Sequence, residues 1–221
     1  NQGDDPGGLY PRSGSGGGIA VYRASAGIQG STLDGNSAGR LSGDRILVTP
    51  SGYAKGELAP DDLVEVDLAG NHLRGSNRAS SELGMHLVIL GVRPEVGAVV
   101  HAHPPAATGF SIAGLTLDEG VIPELVVQVG PVPLVPYAMP GTPDLGETVA
   151  PYARGHDALL LANHGAVTMG RTLDQAHHRM ESLEHSARIL LAARLLGRVE
   201  RLRPDDVARL LRLRGLSETE M

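Results

Sequence analysis

Strand-like and helix-like segments alternate along most of this 221-residue chain, which predicts an α/β fold. Three observations carry that expectation. Short apolar, β-branched runs such as residues 96–100 stand between turn residues, as buried strands do. Longer segments carry helix punctuation: Thr142 is an N-cap followed by Pro143 at the first helical position, and Gly197 and Gly215 close two later segments. The two kinds of element interleave, and no segment repeats another.

The start of the chain stands apart. Gly3, Gly7, Gly8, Gly14, Gly16, Gly17 and Gly18 crowd it with neither helical nor alternating period. An irregular lead-in over residues 1–43 is therefore expected before one domain over residues 44–221. Residues 46–49 and 63–68 read as strands, the second alternating Val64, Val66 and Leu68 with Glu65 and Asp67. A helix over 81–90 closes at Gly91, with Pro94 beyond it. The apolar run at 96–100 opens the next strand, and a short helix over about 105–112 follows. Residues 123–129 and 132–135 read as extended, and Thr142 starts a helix reaching Ala153. Two strands at 158–161 and 166–169 flank a tight Asn163-His164-Gly165 turn. A long helix over 172–196 and a short one over 204–214 complete the order.

Composition narrows the function. A net charge of −6 without a block of like charge argues against a nucleic-acid or membrane partner. No apolar run reaches the roughly 18 residues of a membrane span, and no signal-peptide pattern occurs. Cysteine is absent, which excludes disulfide and thiolate chemistry, and a cytoplasmic location is the expectation. Lys55 is the only lysine and sits in a glycine-rich loop. A Schiff-base lysine has to be desolvated, so electrophilic help is expected from a metal instead.

His101 and His103 end the apolar strand in Val100-His101-Ala102-His103-Pro104. Side chains alternate on a strand, so both project to one side and form a natural pair of ligands for a divalent cation. His164, in its turn before Gly165, would supply a third nitrogen and leave one position open, the catalytic form of a zinc site. His177, His178 and His185 read as the solvent face of the long helix, His72 and His156 as loop residues, and His86 as a helix-packing residue one turn after Glu82. Glu82 starts a helix in Ser80-Ser81-Glu82, where a carboxylate suits the helix dipole. Ser80 and Ser81, and separately Thr49-Pro50-Ser51-Gly52, offer hydroxyl and amide donors for an anionic end of a substrate.

Taken in order and spacing, Thr49-Pro50-Ser51-Gly52, Ser80-Ser81-Glu82, His101-Ala102-His103-Pro104 and Asn163-His164-Gly165 resemble the class II aldolase/adducin family over about residues 44–197, closest to its L-fuculose-phosphate aldolases. The resemblance implies a three-layer α/β/α sandwich around a central, mostly antiparallel sheet. It also implies a homotetramer with active sites between subunits. On it, His101, His103 and His164 bind zinc, with manganese or cobalt acceptable to the same imidazoles. Glu82 is the acid/base, and Ser51, Gly52, Ser80, Ser81 and Asn36 hold the phosphate of a sugar substrate. The implied reaction is retro-aldol cleavage of a phosphorylated ketose to dihydroxyacetone phosphate and an aldehyde. Decarboxylation or epimerisation of a related sugar or sugar-acid phosphate is the alternative. Epimerases of the family carry Asp where Glu82 stands, which favours the aldolase.

Three departures bear on that choice. The family's Gly-Thr-x-Gly-Asn-x-Ser appears only as Gly30-Ser31-Thr32 and Gly35-Asn36-Ser37, at altered spacing, as a misassigned sequence before Asp44 would give. The family's tyrosine near Pro123 or Glu124 is absent, and the tail reads Arg212-Leu213-Arg214-Gly215 where a second is expected. Without those phenols, no proton donor to an aldehyde oxygen is assigned, a loss that suits decarboxylation. A non-catalytic adducin-like module has no reason to keep three histidines and Glu82. A cupin-type oxygenase needs a glutamate where Ala107 and Thr108 stand.

Overall fold

The computed structural model describes residues 27, 28, 31, 32, 35–41, 44–53, 58–117 and 120–214. Lys55, most of the glycine-rich lead-in and the side chain of Asn36 lie outside the described residues. Among the described residues ten strands occur: β1 (Gly27–Ile28), β2 (Ser31–Thr32), β3 (Gly35–Arg40), β4 (Arg45–Val48), β5 (Val64–Asp67), β6 (His72–Arg74), β7 (Ala98–Ala102), β8 (Leu134–Val135), β9 (Ala158–Leu161) and β10 (Gly165–Gly170). The helices are α1 (Leu83–Val92), α2 (Pro105–Ile112), α3 (Pro123–Gln128), α4 (Pro143–Ala153), α5 (Leu173–Leu195) and α6 (Pro204–Arg214). β1 and β2 pair with each other, and the other eight strands form one sheet in the order β6-β5-β4-β3-β7-β10-β9-β8. Its pairs are antiparallel except β8 with β9.

Strand alternation sorts the core into two layers. Ala98, Val100 and Ala102 of β7 join Ala107 and Phe110 of α2, Leu125 of α3 and Met180, Leu183 and Leu190 of α5. Val99, between them, joins Met85 and Ile89 of α1 and Leu145 and Val149 of α4 on the opposite face. Each such large side chain contributes about 1.5–3 kcal/mol by leaving water, so the sheet is fixed between two helical layers. Parity then decides the function: His101 shares the face of Val99, towards α1 and α4.

Three local expectations are corrected. Residues 123–128 are helical, with Pro123 at the first turn, Glu124 beside it and Leu125 and Val126 buried. A short apolar run does not distinguish a buried strand from a helix by its period. Gly35–Arg40, placed in the irregular lead-in, is a strand inside the sheet, so the sheet begins before residue 44. Its glycines and Asn have poor strand propensity, but pairing with β4 on one side and β7 on the other overrides it. His72, read as a loop residue, lies on the exposed edge strand β6.

Candidate metal centre and active site

β7 carries His101 near its end, and His103 follows one residue beyond it. The neighbouring strand β10 is joined to β9 by a turn over residues 162–164, closed by the His164 amide on the Leu161 carbonyl at 3.0 Å. Asn163 takes a positive φ of 56° there, a conformation asparagine tolerates better than most residues, and the chain reverses within three residues. His164 is thereby aimed back across β7. The ring centroids of His101, His103 and His164 lie 4.9, 4.7 and 5.1 Å apart. One nitrogen from each falls within 4.8 Å of the others.

Gly165 makes this convergence possible. A Cβ at that position would stand 2.5 Å from the Ala102 carbonyl oxygen and 2.6 Å from Cδ2 of His103. Any larger residue would displace the strand or the second imidazole.

Glu82 occupies the N-cap of α1, yet its side chain makes no capping hydrogen bond. Its carboxylate instead reaches the imidazoles: Oε2 lies 3.0 Å from Nε2 of His101 and Oε1 lies 3.0 Å from Nε2 of His164. Glu82 is 8 % exposed and His101 is fully buried. Nδ1 of His101 lies 2.9 Å from the Ala166 carbonyl, which only accepts, so Nδ1 carries a proton. Nε2 is buried and faces the nearby carboxylate oxygen without a hydrogen bond. A buried ring nitrogen left without a hydrogen bond beside a carboxylate is satisfied by a cation standing between them. The donor set therefore fits a divalent metal: three imidazole nitrogens, a second carbonyl bond orienting one ring, and a carboxylate at the remaining side. A tetrahedral zinc site has nitrogens about 3.4 Å apart, so each ring would have to move inward by about one ångström or less.

His86, one turn along α1, is fully buried, and burial pushes its pKa down to about 3, with the charge of His101 adding to the fall and that of Glu82 opposing it. It stays neutral behind the site and adds no charge to it.

The two hydroxyl-bearing segments are tied together beside Glu82. Ser51 donates its amide to the Arg78 carbonyl at 2.9 Å, and Ser80 donates to the Thr49 carbonyl at 3.1 Å. Ser80 is buried and its hydroxyl oxygen accepts the Glu82 amide at 3.3 Å; Ser81 is exposed. Gly52 is exposed at a positive φ of 79°. Asn36 stands opposite His101 in the β3–β7 register. A cavity of about 340 Å³ opens between Ser81, Glu82 and Met85 on one side and Gly141–Pro143 on the other. A larger groove of about 860 Å³, among α3, α5 and α6, contains none of these residues.

Sequence reasoning passed over Glu184. It is fully buried on α5 and accepts the amides of Ala106 at 3.2 and 3.1 Å and of Ala107 at 3.0 Å, while Arg188 donates to it at 2.7 Å. Pro104 and Pro105 leave α2 without a capping side chain of its own, so this carboxylate caps it from another element. The signal was present in the sequence: Glu184 falls on the apolar stripe of Met180, Leu183, Ala187 and Leu190.

Comparison with known proteins agrees with this fold. The family model for the Class II Aldolase and Adducin N-terminal domain matches residues 24–191. A 3-oxo-tetronate 4-phosphate decarboxylase of Pectobacterium atrosepticum is 38 % identical over 182 residues, covering 80 % of this chain and 82 % of the relative. An L-fuculose phosphate aldolase of Methanococcus vannielii is 38 % identical over 144 residues, covering 65 % of this chain and 77 % of the relative. Among solved structures, an L-fuculose 1-phosphate aldolase superposes with a TM-score of 0.76 at 28 % identity, covering 82 % of this chain and 86 % of that one. The chain belongs to the class II aldolase and adducin family, whose members with these names include both aldolases and a decarboxylase.

Proposed function

We propose that this enzyme is a metal-dependent carbon–carbon lyase that decarboxylates a phosphorylated 3-oxo sugar acid, yielding carbon dioxide and a ketose or triose phosphate. The observation that carries the reading is the Glu82 carboxylate set between the nitrogens of His101 and His164 at 3.0 Å. A divalent cation on His101, His103 and His164, proposed to be zinc, would supply positive charge where negative charge develops on the substrate's oxygens. When the bond to the carboxylate breaks, its electron pair enters the adjacent carbonyl and carbon dioxide leaves. Glu82, in its protonated form, delivers one proton to the carbon that lost the carboxylate, so the balance is one proton consumed per carbon dioxide released. That single transfer is all the reaction asks of the protein. A retro-aldol cleavage asks for a second, removal of a hydroxyl proton, and hence a further base. The decarboxylases among the relatives, up to 38 % identical, support the same order.

Retro-aldol cleavage of a ketose 1-phosphate is the second reading, favoured by the 38 % identical L-fuculose phosphate aldolase. Ser51, Gly52, Ser80, Ser81 and Asn36 are proposed to hold the phosphate in either case. Further parts of the proposal are a homotetramer, to which the exposed apolar Leu195, Leu196 and Ile112 would contribute contacts, and residence in the cytoplasm. No described helix is long and apolar enough to cross a membrane.

Assay of metal-loaded enzyme with 3-oxo-tetronate 4-phosphates and ketose 1-phosphates decides between the two. Carbon dioxide release from the first group is expected. Aldehyde release from the second without carbon dioxide from the first would replace the main reading by the other.

A further inference from the structure

The two hydroxyl-bearing segments meet as a short antiparallel ribbon. Pro50 faces Ala79 across a lone bridge, flanked by the Ser51-to-Arg78 and Ser80-to-Thr49 backbone bonds. Residues directly opposite each other in such a pair share a face, and faces alternate along it. The register makes Arg78 the partner of Ser51 and Ser80 the partner of Thr49. Those four residues therefore belong to one face, opposite to that of Pro50 and Ala79. Exposure rises along it, from Thr49 at 5 % and Ser80 at 7 % through half-buried Ser51 to exposed Arg78. The inner end is anchored, since the Thr49 hydroxyl oxygen accepts the Ser37 amide at 3.2 Å and Ser80 adjoins Glu82.

The outer end is a fixed backbone carrying a free cation. Asn77, next to Arg78, donates its side-chain amide to the Asp62 carbonyl at 2.8 Å and accepts from the Tyr53 hydroxyl at 3.0 Å. The Arg78 guanidinium makes no hydrogen bond or ion pair among the described residues. Arg45, Arg93, Arg179, Arg188 and Arg214, by contrast, are each bound to a carboxylate.

We propose that Arg78 is the cation that receives the substrate's phosphate, and so sets the preference for phosphorylated over unphosphorylated substrates. The proposal rests on the phosphorylated substrate of the proposed function. A phosphate monoester carries close to two negative charges at neutral pH. The ribbon's hydroxyls and amides are neutral, and Glu82 nearby is acidic, so an anion docking there gains from a positive charge. A guanidinium fork bonds two phosphate oxygens at once and is held at the rim where it costs no buried charge.

The test compares wild type with Arg78→Gln and Arg78→Lys. Two readouts are needed: binding of inorganic phosphate to the metal-loaded protein by calorimetry, and kcat and KM on the substrate that turns over. Arg78→Gln should weaken phosphate binding and raise KM on the order of 10- to 100-fold, as loss of a charge-assisted bond does, with kcat within about twofold. Arg78→Lys should recover most of the loss. Because the guanidinium is exposed and bonds to nothing else described, both variants should unfold at the wild-type temperature. Equal phosphate affinity and KM in wild type and Arg78→Gln, or wild type that binds no phosphate, would overturn the proposal. Arg78-dependent phosphate binding by a protein inactive on every phosphorylated sugar acid and ketose would instead overturn the proposed reaction and leave the phosphate site standing.

Discussion

His103 and Glu82 have separable jobs, and single substitutions should separate them. His103→Ala removes one of three nitrogens, so bound metal and activity should be lost together, read by metal analysis and turnover on one sample. Glu82→Gln keeps the shape and the three imidazoles but cannot carry the proton. Metal content should stay near wild type while kcat falls about 10²–10⁴-fold, and full turnover would remove Glu82 from the chemistry. Gly165→Ala touches neither role directly. Its Cβ meets the Ala102 carbonyl and the His103 ring at 2.5 and 2.6 Å, so it should weaken metal binding about 10- to 100-fold by displacing that ring, measured by competition with a chelator. The meeting of the three imidazoles was legible in the sequence because strand parity and turn chemistry aim those side chains with little help from the rest of the fold, whereas Glu82 was assigned its role by the family resemblance. Arg78 was legible in neither way. Nothing in Asn77-Arg78-Ala79 announces its partner, and only the register with Ser51 puts it beside the hydroxyls.

At the scale of elements, α2 depends on a carboxylate carried by α5. Glu184→Ala would leave the first amides of α2 without their buried acceptor, while Arg188, partly exposed, could turn to water. Leaving buried donors unsatisfied in this way costs about 1–3 kcal/mol, and urea unfolding should show it, with Glu184→Gln losing less. A loss within about 0.5 kcal/mol would mean that water or another group caps the helix. Sequence patterns marked α2, α4, β9 and α6 well, because proline at the helix starts and dense apolar runs are local signals. They failed at α3, whose six residues are too few to show a period, and at β3, whose strand state comes from its two neighbours.

The whole molecule should respond to acid through His86. Its folded-state pKa of about 3 lies below the value near 6.5 of the unfolded chain. Between those values the unfolded chain binds a proton that the native state refuses, so stability falls as pH drops from about 6.5 towards 3 and is not affected by this group above 6.5. His86→Leu should flatten the dependence in that window, followed by thermal unfolding of the metal-free protein from pH 7 to pH 4. The same slope in wild type and variant would assign the acid sensitivity to other groups. The layered α/β/α architecture follows from alternation on β7 and β10, which sends Val100 and Ala166 to one helical layer and Val99 and Val167 to the other. That alternation also aims His101 at Glu82. Fold and site are thus consequences of one strand's register.

X-ray absorption on the zinc-loaded protein examines the centre of this account directly. One zinc per chain, with three imidazole nitrogens at about 2.0–2.1 Å and further light-atom coordination, is the predicted result, and His103→Ala should lose it. A spectrum with fewer than two imidazoles, or one unchanged in His103→Ala, would place the metal elsewhere and contradict the site.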